Sequence, residues 1–369
     1  MKVLFLAPHL STGGMPAFIL KRIQALKTYT NLEIFVFEWR KYATDYVVQR
    51  EEILKLIPES NFFSCGWDKS TENKQKTIVS FCLNKGIDII HIDEIPEGFD
   101  SFNPFNLELQ KELYHEKYPW KIVETCHNIY FNPDEKKVCH PDAYACVTNH
   151  HIDSTFANTP SHKMYIPFPI DVSIQTPQSK SSIKQNKGWL TKGEFHILNV
   201  GLWTQGKNQK YAIEIAKSLW EKYRWTYIFH FIGNQASNFF EYWDPLMKDL
   251  PPNVFVHGER NDTDLFFKMC DLMLFTSTWE CNPIVLKEAI SNNIKIMANN
   301  LPHYNNEYTP YITPLIGDAE KDKESLINII HSNNKYKIGN INQSKEFALN
   351  HLHLYQTLLN ENITRADFN

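Results

Sequence analysis

Leu272-Met-Leu-Phe275-Thr-Ser-Thr-Trp-Glu280-Cys-Asn-Pro-Ile-Val-Leu-Lys-Glu288 is the stretch on which the reading of this chain turns. Four consecutive apolar residues running into a polar loop fit a strand buried on both faces. Asn282-Pro283 then reads as a helix start, Asn at the N-cap and Pro at N1, where its missing N–H costs nothing. The free N–H groups of the next turn, Ile284 and Val285, and the positive helix end would favour a phosphate in the loop. Glu280 lies ahead of that helix, and Glu288 lies about 7.5 Å along it, counted from Pro283 at 1.5 Å per residue. Two such carboxylates can accept hydrogen bonds from vicinal hydroxyls, those of a sugar and of a ribose. Taken alone, the segment fits a capped helix with two surface glutamates equally well.

Around it the chain alternates short apolar runs with segments of helical period, the pattern of α/β units with parallel strands. Strands are expected at Val3–Ala7, Glu33–Glu38, Ile87–Ile92, Lys121–Thr125, Ala143–Thr148 and Lys163–Ile166. After a polar, proline-bearing stretch from Pro167 to Gly193 the alternation restarts, at His196–Val200, Tyr227–Ile232, Val254–His257, Leu272–Phe275 and Lys295–Ala298. Helices are expected at Pro16–Leu26, Thr77–Asn84, Asn208–Tyr223, Asp264–Cys270 and Pro283–Ser291. An amphipathic run, Gln343–Leu359, reads as a closing helix.

The length of 369 residues exceeds what one core usually organises. Three parts follow: an N-terminal Rossmann-like domain, 1–170; a C-terminal Rossmann-like domain, 171–342; and a terminal helix, 343–369, packing back on the first domain. A net charge of −4 and a pI near 6.4 give no reason to expect a nucleic-acid partner. No run approaches the length of a membrane span, and the first apolar run is too short for a signal peptide, so the expectation is a cytoplasmic protein with peripheral membrane contact left open. Seven cysteines form no Cys-x-x-Cys pair, which reads as reduced thiols. The Cys and His residues between Cys126 and His151 match no zinc spacing.

The Glu280-x7-Glu288 spacing after an apolar strand resembles the donor-binding motif of retaining GT-B glycosyltransferases of the large family 4 type (glycosyl transferases group 1). Asn199-Val-Gly201-Leu-Trp-Thr-Gln-Gly-Lys207-Asn208 is similar to that family's strand-loop-helix element, in which a lysine six residues after a glycine contacts the donor pyrophosphate. Phe231-Ile-Gly233 and Asn253-Val-Phe-Val-His-Gly258 follow in the family's order. The resemblance implies two Rossmann-like lobes with parallel sheets facing a central cleft. It also implies transfer of a sugar from a nucleoside diphosphate sugar to a glycan, lipid-linked or protein-linked acceptor, with no cofactor and no metal.

In that reading Lys207 grips the diphosphate, Glu280 the sugar and Glu288 the ribose, with Gly201, Asn282, Pro283, Ile284 and Val285 completing the donor site. Gly13-Gly14, after the first strand, resembles the family's loop near the donor phosphate, and His127 the histidine directed at the donor sugar or acceptor. Lys207, Glu280 and His127 are the candidate catalytic residues. The sequence departs from the family at Leu202, where an arginine gives a second cation to the diphosphate; Arg260 and Lys210 are candidates to replace it. Asp262-Thr-Asp264 could be taken for a metal-binding pair, but it precedes the apolar-periodic run Leu265–Cys270 and reads as a helix N-terminus. Two other functions remain open, a nucleotide-sugar epimerase and a non-catalytic nucleotide-sugar or glycan-binding protein. A nicotinamide oxidoreductase is disfavoured because the Gly13-Gly14 loop lacks the dinucleotide fingerprint.

Overall fold

The structure, a computed structural model, describes residues 1–41, 49–65, 71–98, 107–172, 195–304, 307–332 and 341–360. The chain divides into two compact units, Met1–Pro169 with Gln343–Asn369, and Ile170–Asn342. Of the polar stretch read as a linker, residues 173–193 lie outside the described residues.

Among the described residues, the first unit is built on seven strands: β1 (Lys2–Ala7), β2 (Glu33–Glu38), β3 (Phe62–Ser64), β4 (Ile89–Asp93), β5 (Lys121–Thr125), β6 (Ala143–Cys146) and β7 (His162–Tyr165). Their order is β3-β2-β1-β4-β5-β6-β7, and every pairing is parallel. Helices α1 (Gly14–Tyr29), α2 (Arg50–Leu54), α3 (Thr71–Lys85), α4 (Leu107–Leu113) and α5 (Pro133–Lys136) connect them. Because side chains alternate along a strand, β1 sends Leu4 and Leu6 into one core with Ile78 and Cys82 of α3. Phe5 faces the other way, under the Arg22 guanidinium of α1 at 5.3 Å. The C-terminal helix, Ser344–Asn360, packs on α1: Phe347 meets the Phe18 ring edge-on, centroids 5.7 Å apart, and the Tyr355 hydroxyl lies 2.7 Å from His91 Nδ1 of β4.

The second unit repeats the plan with β9 (Phe195–Val200), β10 (Tyr227–Ile232), β11 (Val254–Val256), β12 (Leu272–Phe275), β13 (Lys295–Ala298) and β14 (Ile312–Pro314), in the parallel order β11-β10-β9-β12-β13-β14. A short antiparallel pair, β8 (Asp171–Val172) with β15 (Ile341–Asn342), brackets it in sequence. Its helices are α6 (Gln209–Tyr223), α7 (Phe240–Met247), α8 (Thr263–Met269), α9 (Ile284–Ser291) and α10 (Ala319–His331). Leu272 and Leu274 join Ala212 and Leu326 on one face, Met273 and Phe275 join Phe266 and Leu286 on the other. Helices cover both faces, so β12 reads as an unbroken apolar run.

The strands expected from sequence are present to within two residues at each end. Two edge strands, β3 and β14, the short pair β8 and β15, and helices α2, α4, α5, α7 and α10 were not expected. The edge strands are three residues each and only partly buried, which gives no period to read.

Candidate functional site

In each unit the strand order reverses between its first and fourth strands, and the loops leaving their carboxyl ends flank the crevice where such sheets bind ligands. In the second unit these are the loops after β9 and β12, which carry Gly201–Lys207 and Thr276–Pro283. They are sewn together: Thr278 N–H donates to Gly206 O at 2.8 Å, and the Thr276 hydroxyl donates to Lys207 O at 3.1 Å. Asn199 Nδ2 donates across the strands to Leu274 O at 2.8 Å. Thr204 caps the turn that presents Lys207, accepting its backbone N–H at 3.3 Å. Lys207 Nζ and Glu280 Oε1 form an ion pair at this junction, with Glu280 nearly covered and Lys207 about one-third exposed. Trp279, the residue before Glu280, stays 44% exposed.

Helix α9 begins one residue later than the sequence suggests. Pro283, at φ −70° and ψ 109°, occupies the N-cap position without a capping side chain, and Asn282 lies outside the helix. Asn282 is directed elsewhere: its Nδ2 donates to Glu307 Oε2 at 3.3 Å and its Oδ1 accepts from the Tyr308 hydroxyl at 3.3 Å. The N–H groups of Ile284 and Val285 precede the first bond of the turn, which Leu286 donates to Pro283 at 3.1 Å. They are the donors a helix end leaves open. Glu288, one turn on, is partly exposed, and burial of the rest pushes its carboxyl up to about 7, with the Asp264 charge adding to the rise.

Gly201 approaches the lysine stem closely enough that a Cβ would lie 3.5 Å from Lys207 Cδ. Leu202 offers only its carbonyl, which accepts from Gln209 Nε2 at 3.0 Å. Arg260 does not stand free to replace the expected cation, because Asp262 holds its guanidinium in a bidentate pair at 2.7 Å. Asp262 is thereby spent on Arg260 rather than on capping α8, and Asp264 pairs with Lys268 at 3.2 Å. Lys210 is exposed in the first turn of α6.

In the first unit, α1 opens at Gly14 with Gly13 as N-cap. Gly13 has φ 114°, a conformation that side chains resist, and both glycines are exposed. The loop before it is pinned from behind: Glu38 accepts the Leu10 N–H at 2.9 Å and holds Arg50 through two bonds of 2.6 Å. His127 follows β5, its ring edge-on to Phe18 at 5.2 Å between centroids. Burial holds its imidazole down near 3, with Arg22 and His151 contributing, and its buried Nε2 has no hydrogen-bond partner among the described residues. Glu94 went unnoticed in the sequence. It leaves β4 at φ 72°, unusual for a residue with a side chain, and its carboxylate accepts from Ile95 N–H at 3.2 Å and more loosely from His127 N–H at 3.5 Å. Burial raises its carboxyl to about 7. No sequence signal marks it beyond an acidic pair at a strand end.

Thus Lys207, Glu280, Gly201, Asn282, Pro283, Ile284, Val285 and Glu288 fall in the second unit, on the two switch-point loops and α9. Gly13, Gly14 and His127 fall in the first unit. Among the described residues no group of three or more His, Cys, Asp and Glu side chains could hold a metal ion, and no helix is long and apolar enough to cross a membrane.

Residues 181–335 match the family described as glycosyl transferases group 1. No curated protein matches the chain by sequence. Among solved structures, the chain is similar to HepE from Anabaena in complex with UDP and glucose, at 14% identity and a TM-score of 0.67, over 100% of this chain and 97% of that one. It is similar to a glycosyltransferase from Rickettsia africae at 14% identity and a TM-score of 0.65, over 98% and 99%. It also resembles WaaG, a glycosyltransferase involved in lipopolysaccharide biosynthesis, at 14% identity and a TM-score of 0.61, over 99% and 98%. The two parallel sheets have the GT-B fold of these structures, and residues 181–335, which match the family described as glycosyl transferases group 1, contain the Lys207–Glu280 junction.

Proposed function

We propose that this chain is a retaining glycosyltransferase that moves a sugar from a nucleoside diphosphate sugar to the hydroxyl of a glycan, lipid-linked or protein-linked acceptor. The observation that carries the proposal is the meeting of Lys207 and Glu280 at the carboxyl ends of β9 and β12, with the open N–H groups of Ile284 and Val285 starting the helix that follows.

Cleavage of the anomeric bond puts positive charge on the sugar ring and negative charge on the departing diphosphate. Lys207 and the α9 N–H groups stabilise that leaving group, and they do so with dipoles already in place. Glu280 binds the sugar hydroxyls and Glu288 the ribose; neither acts as a covalent nucleophile. The leaving phosphate takes the acceptor proton on the same face. His127, kept neutral by burial, offers its ring to sugar or acceptor without adding charge. In the free protein Lys207 and Glu280 neutralise one another, so the donor inserts its phosphate and hydroxyls into an existing pair. No metal enters this scheme. Asp262 and Asp264 already have cationic partners. A uridine donor is favoured by the likeness to HepE, which is recorded with UDP-glucose.

The test is a panel of UDP-, GDP- and ADP-sugars, scored first by thermal shift and then by transfer to mixed glycan acceptors with and without chelator. One donor class should raise the melting temperature by mass action. The product should keep the donor's anomeric configuration, and Lys207→Ala should weaken donor binding at least tenfold. A new isomer of the donor formed without acceptor would make the protein an epimerase. Activity abolished by chelator and restored by manganese would overturn the metal-free scheme.

A further inference from the structure

Beneath the loop that carries Glu280 lies a polar cluster that the proposed chemistry does not use. Lys287, at the end of the first turn of α9, has a side chain only 1% exposed and forms an ion pair with Glu307 Oε1. Glu307 Oε2 accepts from Asn282 Nδ2 at 3.3 Å, and Asn282 Oδ1 in turn accepts from the Tyr308 hydroxyl at 3.3 Å. The Lys287 ammonium sits 5.6 Å from the centre of the Tyr308 ring. A buried lysine is expensive unless it is paired and hydrogen-bonded, and a well-packed apolar pair would fill this place at no loss of stability.

The connectivity suggests what the expense secures. Asn282 stands between Glu280 and the N-cap Pro283, so its orientation fixes both the approach of Glu280 and the direction of the first α9 N–H groups. A capping asparagine would bond the N–H groups of the following turn, the very donors an anion needs. Glu307 and Tyr308 draw the Asn282 side chain away, leaving those donors open. Lys287 completes the arrangement by neutralising the Glu307 charge, so that its carboxylate can sit in this mostly covered place and accept from Asn282.

We propose that Lys287 and Glu307 are positioning residues that keep the α9 N-terminus uncapped for the diphosphate of a nucleotide, acting through Asn282. The inference rests on the donor site proposed above. Two double variants of nearly equal size separate positioning from packing. Lys287→Met/Glu307→Gln removes the ion pair but keeps an acceptor for Asn282; Lys287→Met/Glu307→Met removes the acceptor as well. Asn282→Ala, which leaves the ion pair intact, guards against misfolding of either double variant.

Calorimetric binding of UDP, GDP and ADP and amide exchange of the native protein and each variant are the readouts. The glutamine variant should stay within about threefold of the native affinity. The methionine variant should bind the preferred nucleotide at least tenfold more weakly, with exchange changed only within residues 276–286 and slowed at Ile284 and Val285, whose N–H groups the released Asn282 then caps. Asn282→Ala should speed exchange in the same segment. Equal affinity and exchange in the two double variants would overturn the proposal, whether both match the native protein or both lose equally. If the native protein binds none of the three nucleotides the donor site itself is wrong, and the exchange difference at 276–286 still decides whether the cluster orders the loop.

Discussion

Replacing Gly233 by alanine should damage the second unit more than any other single methyl group. Gly233 follows β10 at φ 149°, and a Cβ there would lie 1.9 Å from Gly201 O, 2.5 Å from Gly201 C and 3.3 Å from Leu202 N. All three are backbone atoms, which cannot rotate away as a side chain could. Both segments are also fixed from the far side: Gly201 N–H donates to Ile232 O at 2.9 Å, Trp203 N–H to Asn234 O at 3.0 Å, and Gly233 N–H to Gly258 O at 2.9 Å. The methyl group must therefore spread three stacked loops. Overpacking in a well-packed region costs about 1–3 kcal/mol. Holding alanine in a backbone region it avoids adds roughly another 1–3 kcal/mol. Together, about 4 kcal/mol converts to a fall in melting temperature of roughly 8–16 °C for a unit of this size. The loop that must move is the one presenting Lys207, so nucleotide affinity should fall as well. Differential scanning calorimetry with and without UDP measures both effects. A Gly233→Ala protein melting within 2 °C of the native one would refute the claim that these loops are in backbone contact.

Arg22→Met should cost about 3–5 kcal/mol, because it strands Asp93, fully buried and 2.7 Å from the guanidinium, without its partner. Denaturant melts should show Arg22→Met/Asp93→Leu recovering most of that loss. His351 is buried on the C-terminal helix, bonded through Nδ1 to Phe347 O at 2.8 Å, and burial drives its pKa well down, with Arg22 adding to the fall. The folded protein thus holds His351 neutral while the unfolded chain takes up a proton below about 6.5, so the contribution is present above that pH and lost as pH falls. Glu94 and Glu124, with carboxyls raised to about 7, work in the opposite sense, so the readout is a difference. Between pH 7.5 and pH 5.5 a His351→Leu protein should lose roughly 1.4 kcal/mol less stability than the native one. For Glu288, with its carboxyl near 7, binding that requires the anion should weaken about tenfold from pH 8 to pH 6 beyond what the nucleotide's own phosphate contributes, and Glu288→Gln should remove that excess.

How legible these features were in the sequence depends on whether local residues or distant ones make them. Strands β9, β10 and β12 are buried on both faces, so their apolar runs stood out, and six-residue spacing from Gly201 located Lys207. The helix start did not read correctly. Asn-Pro is a sound local signal for an N-cap and N1 pair, but Glu307 and Tyr308, some 25 residues on, take Asn282 for themselves. The same holds for Asp262, whose capping preference loses to a bidentate arginine two residues away. Glu94 was invisible because its distinguishing property is a backbone angle, which the acidic residue type does not announce.

The two units share one strand order yet support their switch points by different means. In the first, charge is buried behind the loops: Arg22 with Asp93 beneath α1, Glu38 with Arg50 behind Leu10, and Lys137 with Glu124 and Glu97. In the second, the loops after β9, β10 and β11 lean on one another backbone to backbone through Gly201, Gly233 and Gly258. A buried ion pair responds to the loss of one partner, whereas stacked backbone responds to volume. Arg22→Met should therefore loosen the first unit, where Asp93 is left buried without its partner, while Gly233→Ala loosens 170–342. Amide exchange of the two variants distinguishes them, and loosening by Arg22→Met that began in 170–342 would place the controlling buried charge in the wrong unit.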